Sequence, residues 1–332
     1  MKVCIYGAGA IGGHLAARLI AKGDCEVSVI ARGPMLDAWR TKGVALHTEG
    51  RVIGGKPAFA TDDPASLPPQ DLVVVTLKAP SQPAVAAPLA RLLGERGVAL
   101  FAMNGLPWWW NHGLDAGGPL DLLDPGGALW NGVGPGRALG GVVNSSNQVT
   151  EPGVIVHTGT KRWIMGEPDN SASARLKRVV DLFSAAGLDG ALSTDIRRDI
   201  WRKLMTNISG NPVAALTRLV AKDVATVPGL DEVAIALIDE ALAVAAAHGC
   251  DLRGEIGGAA LARPAKGRAP GKSSMLQDVE AGRAVEVDAI MGQVQVFGRE
   301  KGVATPVIDT VCALLRGLDL SMKLAREAAG AK

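Results

Sequence analysis

No stretch of this sequence is long and apolar enough to suggest a membrane span, which takes roughly 18–20 residues. The nearest approach, Ala234–His248, is interrupted by Asp239 and Glu240 and reads as a core helix. The first strand-like run follows Met1-Lys2 directly, so no signal peptide is expected. Cysteines are few: Cys4, Cys25, Cys250 and Cys312 are scattered without a CxxC pair or metal-ligand spacing. They are expected as free thiols in a reducing compartment, and no metal site is expected. An excess of one charge is also missing, the formal net charge being +2. That excludes the strongly basic surface of a nucleic-acid or anionic-membrane binder. A cytoplasmic protein is the expectation.

What is present is the composition of an ordinary globular protein. With 332 residues, 48% hydrophobic and 20% charged, the chain suits two domains, each large enough for its own core. The pattern changes from mixed α/β to almost wholly helical near residue 194, so domains at 1–194 and 195–332 are expected.

The amino-terminal half opens on a short apolar run, Lys2–Tyr6, followed by Gly7-Ala8-Gly9-Ala10-Ile11-Gly12 and a helix pattern to Lys22. This is G-x-G-x-x-G between a strand and a helix. Gly7 permits the tight turn, Gly9 lets the backbone approach a pyrophosphate, and Gly12 lets helix and strand pack closely. The helix start, Ala10 and Ile11 included, offers oriented N–H groups and partial positive charge. A second strand, Glu26–Ala31, ends at Arg32. An NAD-preferring site usually has an acid there to hold the ribose hydroxyls. A base instead suits the 2′-phosphate of NADPH, or it is a solvated arginine in a turn.

Val44–His47 and Arg51–Ile53 suggest a hairpin. Asp71–Leu77 is an unbroken apolar strand ending at Lys78, at the carboxyl edge where open α/β sheets bind ligands. Lys78 reads equally as a ligand contact and as the polar end of a strand. The next strand, Val98–Met103, ends at Asn104-Gly105, where the amide can meet a ligand oxygen or shape a turn. Four of the seven tryptophans then fall between Leu106 and Gly141, three of them as Trp108-Trp109-Trp110. They read as an insertion on the ligand edge, suited to packing, to a subunit contact in a homodimer if exposed, or to a substrate lid. Antiparallel strands follow to Met165, then a helix over Leu176–Ala186.

In the helical half, Lys203, Asn207 and Asn211 fall at i, i+4 and i+8, on one face of a helix over Asp195–Ser209 that Pro212 is expected to kink or restart. Trp201, Leu204, Met205 and Ile208 fall largely elsewhere, as core. The stripe is either a polar seam or a donor-rich wall for an oxygen-bearing substrate. A long helix over Leu230–His248 ends at Gly249, and a loose segment, Arg253–Lys272, ends in a basic loop. Ser273 or Ser274 can cap the next helix, with capping the stronger reading of Ser274. A further helix is expected from Arg283 to Gly302. It carries Glu286 among Val285, Val287 and Ile290, where a carboxylate needs an arginine or a ligand hydroxyl as partner. The last helix is expected from Val307 to Arg316.

Taken together, GAGAIGG at Gly7–Gly13, VTLKAP at Val75–Pro80, Asn104-Gly105, WRKLMTNISGNPVAALT at Trp201–Thr217 and SSMLQDVEAGRAVEVDAI at Ser273–Ile290 resemble the ketopantoate reductase (2-dehydropantoate 2-reductase) family along nearly the whole chain. The resemblance implies an α/β Rossmann-type N-terminal domain and an all-α C-terminal domain like that of 6-phosphogluconate dehydrogenase, with the active site between them. It implies NADPH/NADP+ as cofactor, a small-molecule 2-oxo acid as substrate, and no nucleic acid or membrane as partner. Lys203 becomes the general acid, with Glu286 beside it in the catalytic set. Asn104, Asn207, Asn211, Ser274 and Glu286 hold the substrate. Gly7, Gly9, Ala10, Ile11, Gly12, Arg32, Lys78, Asn104 and Glu286 meet the cofactor. Burial beside Arg202 is expected to lower the pKa of Lys203. Two features depart from the family pattern. Its substrate asparagine, 18 positions after the lysine, falls on Ala221, and the tryptophan insertion is unusual. A hydroxy acid dehydrogenase for a bulkier substrate is therefore the near alternative. A non-catalytic NADP(H)-sensing module is the distant one, disfavoured because a sensor has no use for a proton donor.

Overall fold

The computed structural model describes residues 1–257 and 271–330. The chain divides into two compact units: Met1–Met103 with Pro107–Asp199, and Asn104–Leu106 with Ile200–Lys332.

The first unit is an α/β fold on a ten-stranded sheet. Its centre is parallel: β1 (Lys2–Tyr6) lies between β2 (Glu26–Ile30) and β6 (Leu72–Val75), and β6 is followed by β7 (Val98–Ala102). Every residue of β6 and β7 is buried, as their unbroken apolar runs require of strands covered on both faces. Beyond β7 the sheet continues through β8 (Ala138–Glu151) and β9 (Val154–Gly166), which form a long antiparallel pair. The expected hairpin is β3 (Val44–Thr48) with β4 (Arg51–Gly55). Helix α1 (Ala10–Lys22) packs Leu15, Ala16 and Leu19 into the core and stops at Gly23, whose N–H reaches the Leu19 carbonyl at 3.1 Å. On the same core, Trp163 meets Phe183 edge-on, with ring centroids 5.2 Å apart.

Three of the four tryptophans after β7, Trp108–Trp110, are core residues and so neither lid nor subunit contact, while Trp130 is half-buried. Trp108, Trp109 and Trp110 are 1%, 0% and 3% exposed. Arg197 holds their loop in place. Its guanidinium donates to the carbonyls of Trp110, His112 and Pro168 at 2.5–2.9 Å and stacks over the Trp109 and Trp110 rings. A loop carbonyl cluster needs donors when buried, and one arginine satisfies three carbonyls at once.

A polar network is sealed between α1 and the sheet. Arg18 Nε donates to His14 Nε2 at 2.8 Å, so that nitrogen carries no proton and His14 is neutral with its proton on Nδ1. Arg18 also donates to Thr48, whose hydroxyl lies 2.9 Å from His157 Nδ1, and the His157 ring stacks on His14. Burial first, then Arg18 and His157, push the His14 pKa down to about 3. The unfolded chain takes up this proton near pH 6.5, so the stabilisation is complete above that value and is lost as pH falls towards 3. Between pH 6.5 and pH 5 this unit is expected to lose roughly 2 kcal/mol. Urea melts across that range test it: H14Q should flatten the slope, and an unchanged slope would assign the loss to other groups.

The second unit is helical. Helix α6 runs from Ile196 to Thr217 as one element. Pro212 neither ends nor restarts it, although the Ile208 carbonyl loses its helical donor there. Helix α8 (Leu230–Ala247) buries Leu237, Ile238, Ala241 and Leu242. Glu240, an acid that interrupts its apolar run, caps the last helix (Pro306–Gly330) by accepting from the Val307 and Ile308 N–H groups, both at 2.9 Å. That helix extends far past the expected end at Arg316. The helix expected from Arg283 starts later: Arg283–Glu286 is irregular, Asp288–Gly292 is a π-helical turn, and an α-helix covers Gln293–Lys301. Of the basic loop expected before Ser273, residues 266–270 lie outside the described residues. Among the described residues, no helix is long and apolar enough to cross a membrane, no group of His, Cys, Asp and Glu could hold a metal ion, and all four cysteines are free thiols.

Candidate active site

In the first unit the glycine loop joins β1 to α1. Thr76, just past the end of β6, donates its hydroxyl to the Gly7 carbonyl at 2.6 Å and its N–H to the Tyr6 carbonyl at 3.0 Å. The loop is thus fixed from the neighbouring strand by a residue that the sequence shows only as one polar position at a buried strand end. Ala10 and Ile11 open the helix, and no side chain caps it at Gly9. A Cβ built on Gly9 meets nothing within 4 Å, so the backbone there is open to close approach. Uncapped N–H groups at a helix start, beside open backbone, suit a pyrophosphate. Arg32 lies exposed just past β2 and has no hydrogen bond or ion pair among the described residues. Lys78 is half-buried past the end of β6. The next segment is pinned by Gln82, whose amide donates to the Leu77 carbonyl at 3.0 Å. The glycine loop and helix start fit a dinucleotide pyrophosphate.

The second unit gathers the other polar residues. Lys203 is half-buried on α6, one turn before Asn207, which is 6% exposed; Asn211 is half-buried one turn further. Burial holds the Lys203 ammonium below the usual lysine range. Arg202 plays no part in that shift: it is exposed and pairs with Glu255. The Asn207 amide donates to the Asn104 side-chain oxygen at 3.3 Å, joining residues 103 positions apart.

Asn104 is held in place by Gly105 and Leu106. Gly105 has φ +82°, and a Cβ on it would lie 2.2 Å from the Ala289 carbonyl oxygen. The Leu106 N–H donates to that same oxygen at 2.8 Å. The acceptor belongs to the π-helical turn, whose wider winding leaves carbonyls for outside partners. Glu286 is half-buried immediately ahead of this turn, its own carbonyl accepting from the Ile290 N–H at 3.3 Å. The α6 face carrying Lys203 and Asn207 and the π-helical turn that follows Glu286 are therefore tied together through Asn104–Leu106. Ala289, the tying residue, carries no polar side chain and was invisible as a site residue.

Ser274 is not a cap. Ser273 takes that role, accepting from the Leu276 N–H at 3.2 Å, and Ser274 is exposed in the first turn. Its hydroxyl makes no hydrogen bond to any of the other site residues. Ala221 opens a short helix, Ala221–Val224, and is exposed.

Two family models match the chain: "Ketopantoate reductase PanE/ApbA" over residues 3–170 and its C-terminal counterpart over residues 195–319. A 2-dehydropantoate 2-reductase from Mesorhizobium japonicum is 39% identical over 323 residues, covering 96% of this chain and 98% of its own. One from Archaeoglobus fulgidus is 30% identical, covering 96% and 98%. Among solved structures, a candidate ketopantoate reductase from Ralstonia solanacearum MolK2 superposes with a TM-score of 0.89 at 38% identity, covering 97% and 98%. The Rossmann-type glycine loop, the tied Lys–Asn–Glu group and this full-length likeness agree: the chain belongs to the ketopantoate reductase family of oxidoreductases.

Proposed function

We propose that the chain reduces a 2-oxo acid with NADPH, with 2-dehydropantoate going to (R)-pantoate as the first substrate to test. The observation that carries this reading is Lys203: a half-buried ammonium with its pKa pushed down by burial, one helical turn from an asparagine already paired with Asn104. With its pyrophosphate held at the glycine loop and the start of α1, the cofactor would supply a hydride to the carbonyl carbon. Negative charge then develops on the carbonyl oxygen. Lys203 Nζ stabilises that charge and delivers the proton that completes the alcohol. Asn104, Asn207, Asn211 and Ser274 orient substrate oxygens through neutral donors, and Glu286 accepts from a substrate hydroxyl. Loss of NADPH absorbance with ketopantoate and a panel of 2-oxo acids tests the reading. Cofactor binding without turnover of any of them would leave a sensor.

One observation favours a second substrate. Ala221 stands where the family places an asparagine, removing one polar contact. The buried tryptophans give no support to a bulkier acid, so Ala221 alone carries this alternative. Turnover confined to 2-oxo acids other than ketopantoate would establish it.

Arg32 is assigned to the 2′-phosphate. R32D should weaken NADPH at least tenfold and bring the preference towards NADH, because a carboxylate repels the phosphate and accepts from ribose hydroxyls. Steady-state KM values for both cofactors measure it; an unchanged ratio would remove Arg32 from the cofactor site.

A further inference from the structure

We propose that the first unit carries a second ligand site, for a phosphate-bearing small molecule, at the edge of the sheet opposite the glycine loop. A cavity of about 500 Å³ opens where β1, β6 and β7 begin, whereas Gly7 and Lys78 lie where β1 and β6 end. That volume suits a metabolite better than a single ion. Its charged side chains are four arginines, Arg96, Arg137, Arg175 and Arg178, against two carboxylates, Asp71 and Glu95.

The four arginines divide into two kinds. Arg137 and Arg175 are committed to the fold. Arg137 donates to the carbonyls of Val133, Gly94 and Gly132, and Arg175 forks onto the buried Glu167 and donates to the Gly136 carbonyl. They make a rigid basic wall. Arg96 and Arg178 are exposed and, among the described residues, have neither a hydrogen bond nor an ion pair. Of the carboxylates, Asp71 is engaged by the Lys2 N–H at 2.8 Å, and Glu95 pairs with neither free arginine.

Arg178 is also on the wrong helix end for a structural cation. Helix α5 (Ala174–Ala185) has no acid in its first turn, yet carries Arg175, Lys177 and Arg178 near its positive end. Glu167 compensates Arg175 and Asp181 compensates Lys177. Only Arg178 is left for an external anion. Two free guanidinium forks facing a cavity favour the several oxygens of a phosphate or diphosphate group.

Calorimetric titration of the full chain saturated with NADP+, so that the glycine loop is already occupied, with inorganic pyrophosphate and separately with citrate tests the site. Saturable pyrophosphate binding is expected, with affinity at least tenfold lower in R96Q/R178Q, and with citrate clearly weaker. Both arginines are exposed, so the double variant should melt as the wild type does; R178Q alone provides a second, milder variant. Absence of saturable binding, equal binding by R96Q/R178Q, or citrate binding as tightly as pyrophosphate would each overturn the proposal.

Discussion

K203A is expected to lower kcat for 2-oxo acid reduction by about 10²–10⁴-fold, with the KM for NADPH changed by less than about threefold. The size follows from what the residue is asked to do. Hydride arrival leaves an alkoxide, and no other cation among the proposed substrate residues can neutralise it: Asn104, Asn207, Asn211 and Ser274 are neutral, and Glu286 is an acid. Burial pushes the Lys203 pKa down, which brings its acidity closer to neutral pH and makes proton transfer to the nascent alkoxide easier. The same shift sets the pH dependence. The ammonium is the active form, so kcat should fall as pH rises through the depressed lysine pKa. K203R separates charge from proton donation, since guanidinium keeps the charge but does not release its proton. Turnover by K203R at more than a tenth of the wild-type rate would make Lys203 an electrostatic group only. Near-normal turnover by K203A would remove it from the mechanism.

The local chemistry of this site was legible in the sequence; the way it is held was not. The glycine loop, the i, i+4, i+8 stripe and Glu286 are residue types in fixed short spacings, and short spacings survive folding as geometry. The tie between Asn104 and the π-helical turn links positions nearly two hundred residues apart through a backbone carbonyl, which leaves no mark on residue type. Thr76 has the same character, acting through the Gly7 carbonyl. For the tryptophans the sequence left packing, a subunit contact and a lid open, and burial of Trp108–Trp110 bears out packing. A run of large aromatics beside glycines resembles an exposed lid until its anchor is known, and Arg197 lies 87 positions from the Trp110 carbonyl it holds. Capping differs from expectation by a single residue, since Ser273 and Ser274 offer identical hydroxyls and only the helix start distinguishes them. Helix ends behave likewise. Pro212 weighs less than its chemistry suggests in a helix with a well-buried apolar face, and the last helix runs on past residues without a strong apolar period.

G12A is expected to destabilise the dinucleotide unit and to weaken NADPH binding together. Helix propensity argues the other way, because alanine inside a helix is favoured over glycine by about 1 kcal/mol. Space decides it. A Cβ on Gly12 would lie 2.0 Å from the Gly7 carbonyl oxygen, 2.6 Å from Thr76 Oγ1 and 3.0 Å from Ile5 Cγ2. The first of these is backbone, and it cannot swing aside without breaking the 2.6 Å hydrogen bond from Thr76. Relief therefore requires α1 to move off β1, which opens a core in which Leu15 and Leu19 are fully buried. Overpacking of this kind costs about 1–3 kcal/mol and more where the neighbour is rigid, so a net loss of about 2–3 kcal/mol is expected. NADPH affinity should fall at least tenfold because the displaced element is the one that presents the helix N–H groups. G9A is the matched control. There a Cβ meets nothing within 4 Å, so stability should change by less than about 1 kcal/mol while NADPH affinity still falls, the new methyl group occupying the approach to the loop. Urea denaturation and calorimetric NADPH titration of the two variants separate packing from binding. A G12A protein as stable as wild type would show that the helix can shift at no cost, and G9A with undiminished affinity would place the pyrophosphate away from this loop.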